Sequence, residues 1–143
     1  MGSIVVGTDG SPGAKAAVRR AAEIAKGSGS RVHLVTAYPD SPSARETLTS
    51  TAKADPVDLR ETAEGVLNRA GRELEAEGIE YETHARAGDP AHVIIEVAEE
   101  QGADLIVVGA RGSTGLQRFL LGSVSSKLSH HAPTSVMVVR EEE

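Results

Sequence analysis

Short runs of contiguous aliphatic residues alternate along this chain with longer stretches in which small or apolar residues return every three or four positions. Ser3 to Thr8 is the first run, and Ile4, Val5 and Val6 show no polar alternation, as in a strand covered on both faces. Ser11-Pro12 then reads as a helix start, with Ser as N-cap and Pro at the first helical position. Ala14, Ala17, Val18, Ala21 and Ala25 fall on one face of that helix, small enough to pack closely on a sheet, and Gly27 is the expected stop. Arg31 to Tyr38 is the second strand. A second helix carries Leu59, Ala63, Val66, Leu67, Ala70 and Leu74 at i, i+4, i+7, i+8, i+11 and i+15, and closes at Gly78. Ile79 to Arg86 alternates and is partly polar, as suits a strand near a sheet edge. Asp89-Pro90 opens a third helix with Val93, Ile94, Val97 and Ala98 on its apolar face and Gly102 at its end. Asp104 to Val108, Ser123 to His131 and Ser135 to Val139 read as the fourth strand, fourth helix and fifth strand.

Strands that alternate with helices predict parallel β-α-β units, and five of them predict one doubly wound, Rossmann-like α/β sheet with helices on both faces. The chain of 143 residues is expected to form a single domain, 1–143, with no internal repeat. Pro39 to Pro56 holds three prolines and several Ser and Thr, and is the expected long loop. It follows the second strand, so it emerges at the C-terminal end of the sheet and is expected to be mobile until a ligand orders it.

Composition narrows the function classes. No apolar run approaches the roughly 20 residues that span a bilayer, and Ile4 to Val6 is too short and too weakly flanked for a signal peptide. A cytoplasmic address and no membrane partner are the expectations. The chain has no cysteine, hence no thiol nucleophile or thiolate metal site. A net charge of -6 argues against non-specific nucleic-acid binding. The aromatic residues are Tyr38, Tyr81 and Phe119, too few for a base-stacking platform.

The chemistry concentrates in Gly109 to Ser123, where a buried strand empties into a glycine-punctuated loop of spacing G-x2-G-x9-G-S and then a helix start. Glycine lets backbone turn sharply and approach a ligand, while the first helical amides lack intrahelical partners and sit at the positive end of the helix dipole. No Asp or Glu occurs from Leu105 to Arg140, where the fixed charges are Arg111, Arg118, Lys127 and Arg140. A carboxylate-free segment in an acidic chain suits an anionic ligand. Neither the P-loop nor the dinucleotide fingerprint is present. In a doubly wound sheet, ligands bind beyond the strand C-termini where the winding reverses. With strand order 3-2-1-4-5 that point lies between strands 1 and 4, beside Thr8-Asp9.

Over essentially its whole length the chain resembles the universal stress protein family. The resemblance rests on Ile4-Val5-Val6-Gly7-Thr8-Asp9-Gly10-Ser11, on Ala103 to Gly109, on the glycine pattern, and on His131-Ala132-Pro133 followed by Val136 to Arg140. It implies strand order 3-2-1-4-5, and the complete glycine pattern implies the ATP-binding branch. Gly7 departs from members that carry proline there, and that position is expected to contribute backbone only.

The resemblance sets Asp9 against the adenosine moiety, beside its plainer reading as a turn residue satisfying nearby amides. Thr8 and Ala37 are expected to wall the adenine side. Val108 and Gly109 end the fourth strand, with Gly109 leaving room for sugar and first phosphate. Gly112 is expected in a conformation open to glycine alone. The amides of Gly122, Ser123, Val124 and Ser125, with the Ser123 and Ser125 hydroxyls, are expected at the β- and γ-phosphates, and Ser123 also suits an N-cap. Arg111 either screens polyphosphate or stays solvated. His130 and His131 read as surface groups at a helix C-terminus. His33, His84 and His92 lie one to a segment and show no recognisable ligand spacing, so no resident metal is expected. Mg2+ would enter with ATP. The implied function is an ATP-binding regulatory switch in stress response. The alternatives are slow ATP hydrolysis or self-phosphorylation, and a nucleotide-free interaction module. A homodimer paired through Val136, Met137, Val138 and Val139 is the expected assembly, with a regulatory protein partner downstream.

Overall fold

The computed structural model describes residues 2–39, 56–110 and 122–141. The expected long loop, and the segment 111–121 with Arg111 and Gly112, lie outside those residues. The elements in chain order are β1 Ser3–Gly7, α1 Pro12–Ser28, β2 Arg31–Tyr38, α2 Pro56–Ala76, β3 Tyr81–Ala87, α3 Pro90–Gln101, β4 Leu105–Gly109, α4 Ser123–His131 and β5 Ser135–Val139. The five strands form one parallel sheet in the order β3-β2-β1-β4-β5. Fold class, element order and strand order match the expectation.

Local chemistry explains the helix starts. Ser11 Oγ accepts the Ala14 N–H at 3.3 Å and Pro12 follows it. Asp89 does the same for α3, accepting the His92 N–H at 3.1 Å. Burial works against the Asp89 charge, but the His92 amide and Lys127 outweigh it and leave its pKa below the usual carboxylate value. One helix end differs from the reading. Gly27 lies inside α1, in open space, and the helix continues to Ser28. Gly29 is the terminator, because its left-handed φ of 71° turns its N–H back onto the Ala25 carbonyl.

The sheet is covered on both faces. Ile4, Val6, Val32, Leu34 and Val107 pack against the alanine face of α1 and against Leu67 and Leu74 of α2. Val5, Val35, Ile106 and Val108 pack against Val93, Ile94 and Val97 of α3 and Leu128 of α4. That sandwich is why the central strands β1 and β4 are uninterrupted apolar runs. Glycines at both strand ends admit the helices closely. A Cβ at Gly7 would lie 2.5 Å from Ile94 Cδ1, so Gly7 contributes space for α3 as well as backbone. A Cβ at Gly109 would lie 2.8 Å from both the carbonyl carbon and oxygen of Gly13 at the start of α1.

At the opposite end of the sheet, Asp104 Oδ2 accepts the Gly2 and Ser3 N–H groups at 2.7 and 3.3 Å. Those amide bonds hold its carboxyl below the ordinary value of 3.8. A depressed folded pKa contributes stability above the unfolded value, which is lost as pH falls through the folded one. Asp104→Asn is therefore expected to lower stability at neutral pH and to flatten its decline below the ordinary carboxylate pKa. Urea denaturation across acid pH checks this, and parallel wild-type and variant curves would refute it.

Candidate functional site

The winding reverses between β1 and β4: β1 leads through α1 to β2 on one side, and β3 leads through α3 to β4 on the other. The C-terminal ends of β1 and β4 therefore flank a crevice of the kind that takes ligands in doubly wound sheets. Thr8 stands at the end of β1, 7% exposed, and its N–H donates to the Val35 carbonyl at 2.9 Å. Its Oγ1 accepts the Gly10 N–H at 3.2 Å, and its carbonyl accepts the Thr36 hydroxyl at 2.8 Å. Thr36, buried at the end of β2, is a residue that sequence reasoning missed; its bond crosses strands and has no signature along the chain. Asp9 is exposed, and its Oδ1 accepts the Ser11 N–H at 2.9 Å, with Gly10 at φ 81° completing the turn. The turn role is thus present, and it holds the carboxylate at the mouth of the crevice. Ala37 is half-buried on the face shared by Val35 and Val108.

The far wall is formed where the end of β4 meets the start of α4. The Ala110 N–H donates to the Val139 carbonyl at 2.8 Å, which anchors the end of β4 to β5. The Ala110 carbonyl accepts the Gly122 N–H at 2.6 Å and the Ser125 hydroxyl at 3.2 Å. Ala110 and Gly122, the described residues on either side of 111–121, are thus bonded directly to each other. Gly122 rather than Ser123 is the N-cap of α4, with φ -67°, ψ 165° and no side-chain cap hydrogen bond among the described residues. Intrahelical bonding begins with the Ser126 N–H on the Gly122 carbonyl at 2.9 Å. The amides of Ser123, Val124 and Ser125 thus precede the ladder at the positive end of α4. Ser123 is exposed and Val124 half-buried. The Ser125 hydroxyl, on a residue 2% exposed, is committed to the Ala110 and Gly122 carbonyls. It ties the start of α4 to the end of β4, and the Gly122 amide shares that task. Gly109 faces α1 with its missing side chain, as the contact with Gly13 requires.

Two further sequence readings change. Lys127, one of the cations in the carboxylate-free segment, pairs with Asp89 of α3 at 3.2 Å. Its charge is met by a neighbouring helix, a partner that segment composition does not reveal. His33 and His84 are not scattered: parallel pairing of β2 with β3 brings their rings together, with His33 Nδ1 3.1 Å from His84 Nε2. His92 stays apart, exposed and 3.4 Å from Glu96 on its own helix. His130 and His131 are exposed, and His130 Nδ1 lies 2.9 Å from the Ser126 carbonyl, in keeping with a helix C-terminus. A hollow of about 550 Å³ is lined by Asp58, Glu61, Thr62, Gly65 and Arg69 of α2, on the helix whose Arg60 donates to the Tyr38 hydroxyl at the end of β2 at 3.2 Å.

Comparison with known proteins agrees with this architecture. The profile described as the universal stress protein family matches residues 1–140. Universal stress protein MJ0531 of Methanocaldococcus jannaschii is 34% identical over 138 residues, covering 96% of this chain and 81% of its own. A universal stress protein solved in complex with cAMP superposes with a TM-score of 0.76 at 28% identity, over 99% of this chain and 98% of its own. The universal stress protein from Archaeoglobus fulgidus, solved in complex with dAMP, gives 0.74 at 27% identity, over 97% and 98%. The chain belongs to the universal stress protein family.

Proposed function

We propose that this protein is a regulatory switch that binds an adenine nucleotide, with ATP the preferred ligand, in the crevice between β1 and β4. The observation that carries the reading is the N-terminus of α4, capped by a glycine and pinned to the end of β4, opposite the Thr8-Asp9 turn. A nucleotide laid across this crevice has its base and ribose toward Thr8, Asp9 and Ala37. Val108 and Gly109 lie beneath it. Its phosphates lie toward the Ser123, Val124 and Ser125 amides, where the dipole favours negative charge. Asp9 belongs at the nucleoside end, since a carboxylate repels phosphate. Arg111 and Gly112 complete the phosphate side in this reading. Family members solved with cAMP and dAMP support the ligand class. A Mg2+ ion suits the polyphosphate end without a protein cage, because Mg2+ is held largely by phosphate oxygens and water.

Among the described residues, the phosphate end carries no side chain placed as a base, so turnover is expected to be slow. Nucleotide occupancy then acts by stabilising one assembly state for a partner to read. The experiment is identification of the nucleotide that co-purifies, followed by calorimetry with ATP, AMP and cAMP and product analysis after incubation with Mg-ATP. Tightest binding of ATP with little product is the expected result. Failure of all three nucleotides to bind at about 1 mM, a free energy of only about 4 kcal/mol, would overturn the proposal.

The assembly proposed is a homodimer through β5. This strand ends the sheet, and Val136, Met137, Val138 and Val139 are each half-buried in the single chain. A half-covered apolar edge with free pairing positions suits a second copy. Val138→Lys is expected to give monomers, because a two-fold axis would oppose the new charges. Light scattering decides between them: a wild-type monomer, or a dimer indifferent to the lysine, would refute the pairing.

A further inference from the structure

We infer that His33, Glu82 and His84 form a binding site for a Zn2+-type transition-metal ion, separate from the nucleotide crevice. The three residues come from neighbouring strands. His33 of β2 stands in register with Glu82 of β3, and His84 is two residues further on, hence on the same face. One ligand atom from each lies within 4.8 Å of the others. His33 Nδ1 is 3.1 Å from His84 Nε2 and 3.3 Å from Glu82 Oε2. Donors around a tetrahedral zinc at about 2.0–2.1 Å are separated by roughly 3.3 Å, so two edges of the ligand triangle already have that spacing. The remaining edge closes by rotation of Glu82, whose side chain is 47% exposed and has room to turn.

Hydrogen bonding already draws the three groups together. One ring nitrogen, His33 Nδ1, faces both His84 Nε2 and the Glu82 carboxylate. If it carries a proton, that proton is shared between two acceptors. If it does not, its lone pair faces a carboxylate at 3.3 Å. A cation at the centre takes all three lone pairs at once. His33 is 1% exposed, so its ring is held in place by the core before any ion arrives. Arg86, the nearest cation on this face of β3, has its charge answered by Glu96 at 3.0 Å and Glu100 at 2.6 Å.

Donor chemistry selects the ion. Two imidazoles and a carboxylate suit Zn2+ and its neighbours, whereas Mg2+ and Ca2+ require oxygen ligands throughout. Three protein ligands leave a fourth position to water on the exposed Glu82 side. His33 precedes Ala37 by four strand residues, about 13 Å at the usual rise per residue, so the ion sits well down the sheet from the nucleotide. Its effect is to fasten the edge strand β3 to β2.

The test is titration of the full-length protein with ZnCl2 against a chromophoric zinc indicator, with melting followed in parallel. Wild type is expected to take up about one zinc per chain and to melt higher with zinc in excess, since a ligand specific to the folded state stabilises it. Glu82→Gln and His84→Gln are expected to weaken binding by about tenfold or more and to remove the melting shift. Replacement of both His130 and His131 by alanine is expected to change neither, and Mg2+ at about 1 mM is not expected to compete. Absence of zinc uptake by wild type would overturn the site, as would His84→Gln binding zinc within about twofold of wild type. Nucleotide binding has its own readout in calorimetry, so failure of either site leaves the other standing.

Discussion

Gly122→Glu is expected to abolish adenine-nucleotide binding and leave the domain folded. Gly122 caps α4 with φ -67° and ψ 165°, a conformation any L-residue adopts, so no backbone strain follows the change. The carboxylate arrives at the end of a helix whose Ser123, Val124 and Ser125 amides precede the ladder. A negative charge there interacts favourably with the helix dipole, by about 0.3–1 kcal/mol on an exposed helix. The glutamate is thus a tethered anion that satisfies the amides proposed for phosphate and repels the phosphate itself. Loss of affinity by about a hundredfold, or about 2.7 kcal/mol, is expected by calorimetry. The bond from the Gly122 N–H to the Ala110 carbonyl uses backbone atoms only, and the substitution spares it. Binding within about a factor of three of wild type, less than 1 kcal/mol, would show that the anion site is elsewhere.

The second large effect is expected at Gly109, and it falls on stability. An added Cβ would stand 2.8 Å from backbone atoms of Gly13, which can retreat only if α1 lifts from the sheet. Gly109→Ala is expected to cost about 1–3 kcal/mol, in the range of core overpacking, and Gly109→Val more. Urea denaturation measures this. A stability within about 0.5 kcal/mol of wild type, the usual effect of a neutral surface change, would refute the close-approach role. If such a stable variant had also lost nucleotide, the glycine would be leaving room for ligand, as the sequence suggests, and not for a helix.

The elements themselves were legible in the chain because their causes are local. Ser11 and Asp89 cap residues three positions away, and Pro12 and Pro90 follow them directly. The contiguous aliphatic runs of β1 and β4 announce strands buried on both faces. The family resemblance then implied the strand order that is observed. Even here a choice between neighbours stayed hidden. Gly27 reads as the stop of α1 along the chain, and only the left-handed backbone at Gly29 shows that the helix ends two residues later.

The proposed nucleotide site was legible as a place, since glycine spacing after a buried strand marks a helix N-terminus at the ligand end of the sheet. Its internal division of labour was not. Ser125 looks like a phosphate ligand along the chain, yet its hydroxyl is bonded to the Ala110 carbonyl 15 residues earlier. Lys127 looks unpaired until α3 delivers Asp89. Thr36 looks like one more strand residue until its hydroxyl reaches the Thr8 carbonyl across the sheet.

By itself, the sequence determined which segments fold, where two helices begin, and which end of the sheet carries the glycine-capped helix start. These depend on residues within a turn of one another, whose relative positions the covalent chain already dictates. Tertiary structure alone decided that Gly109 gives way to α1, that the Ser125 hydroxyl ties α4 to the end of β4, and that His33 meets His84 and Glu82. Those depend on strand register and helix seating, which the packing of both hydrophobic layers sets together. A slip of one residue between β2 and β3 would turn Glu82 and His84 to the opposite face from His33 and dissolve the cluster.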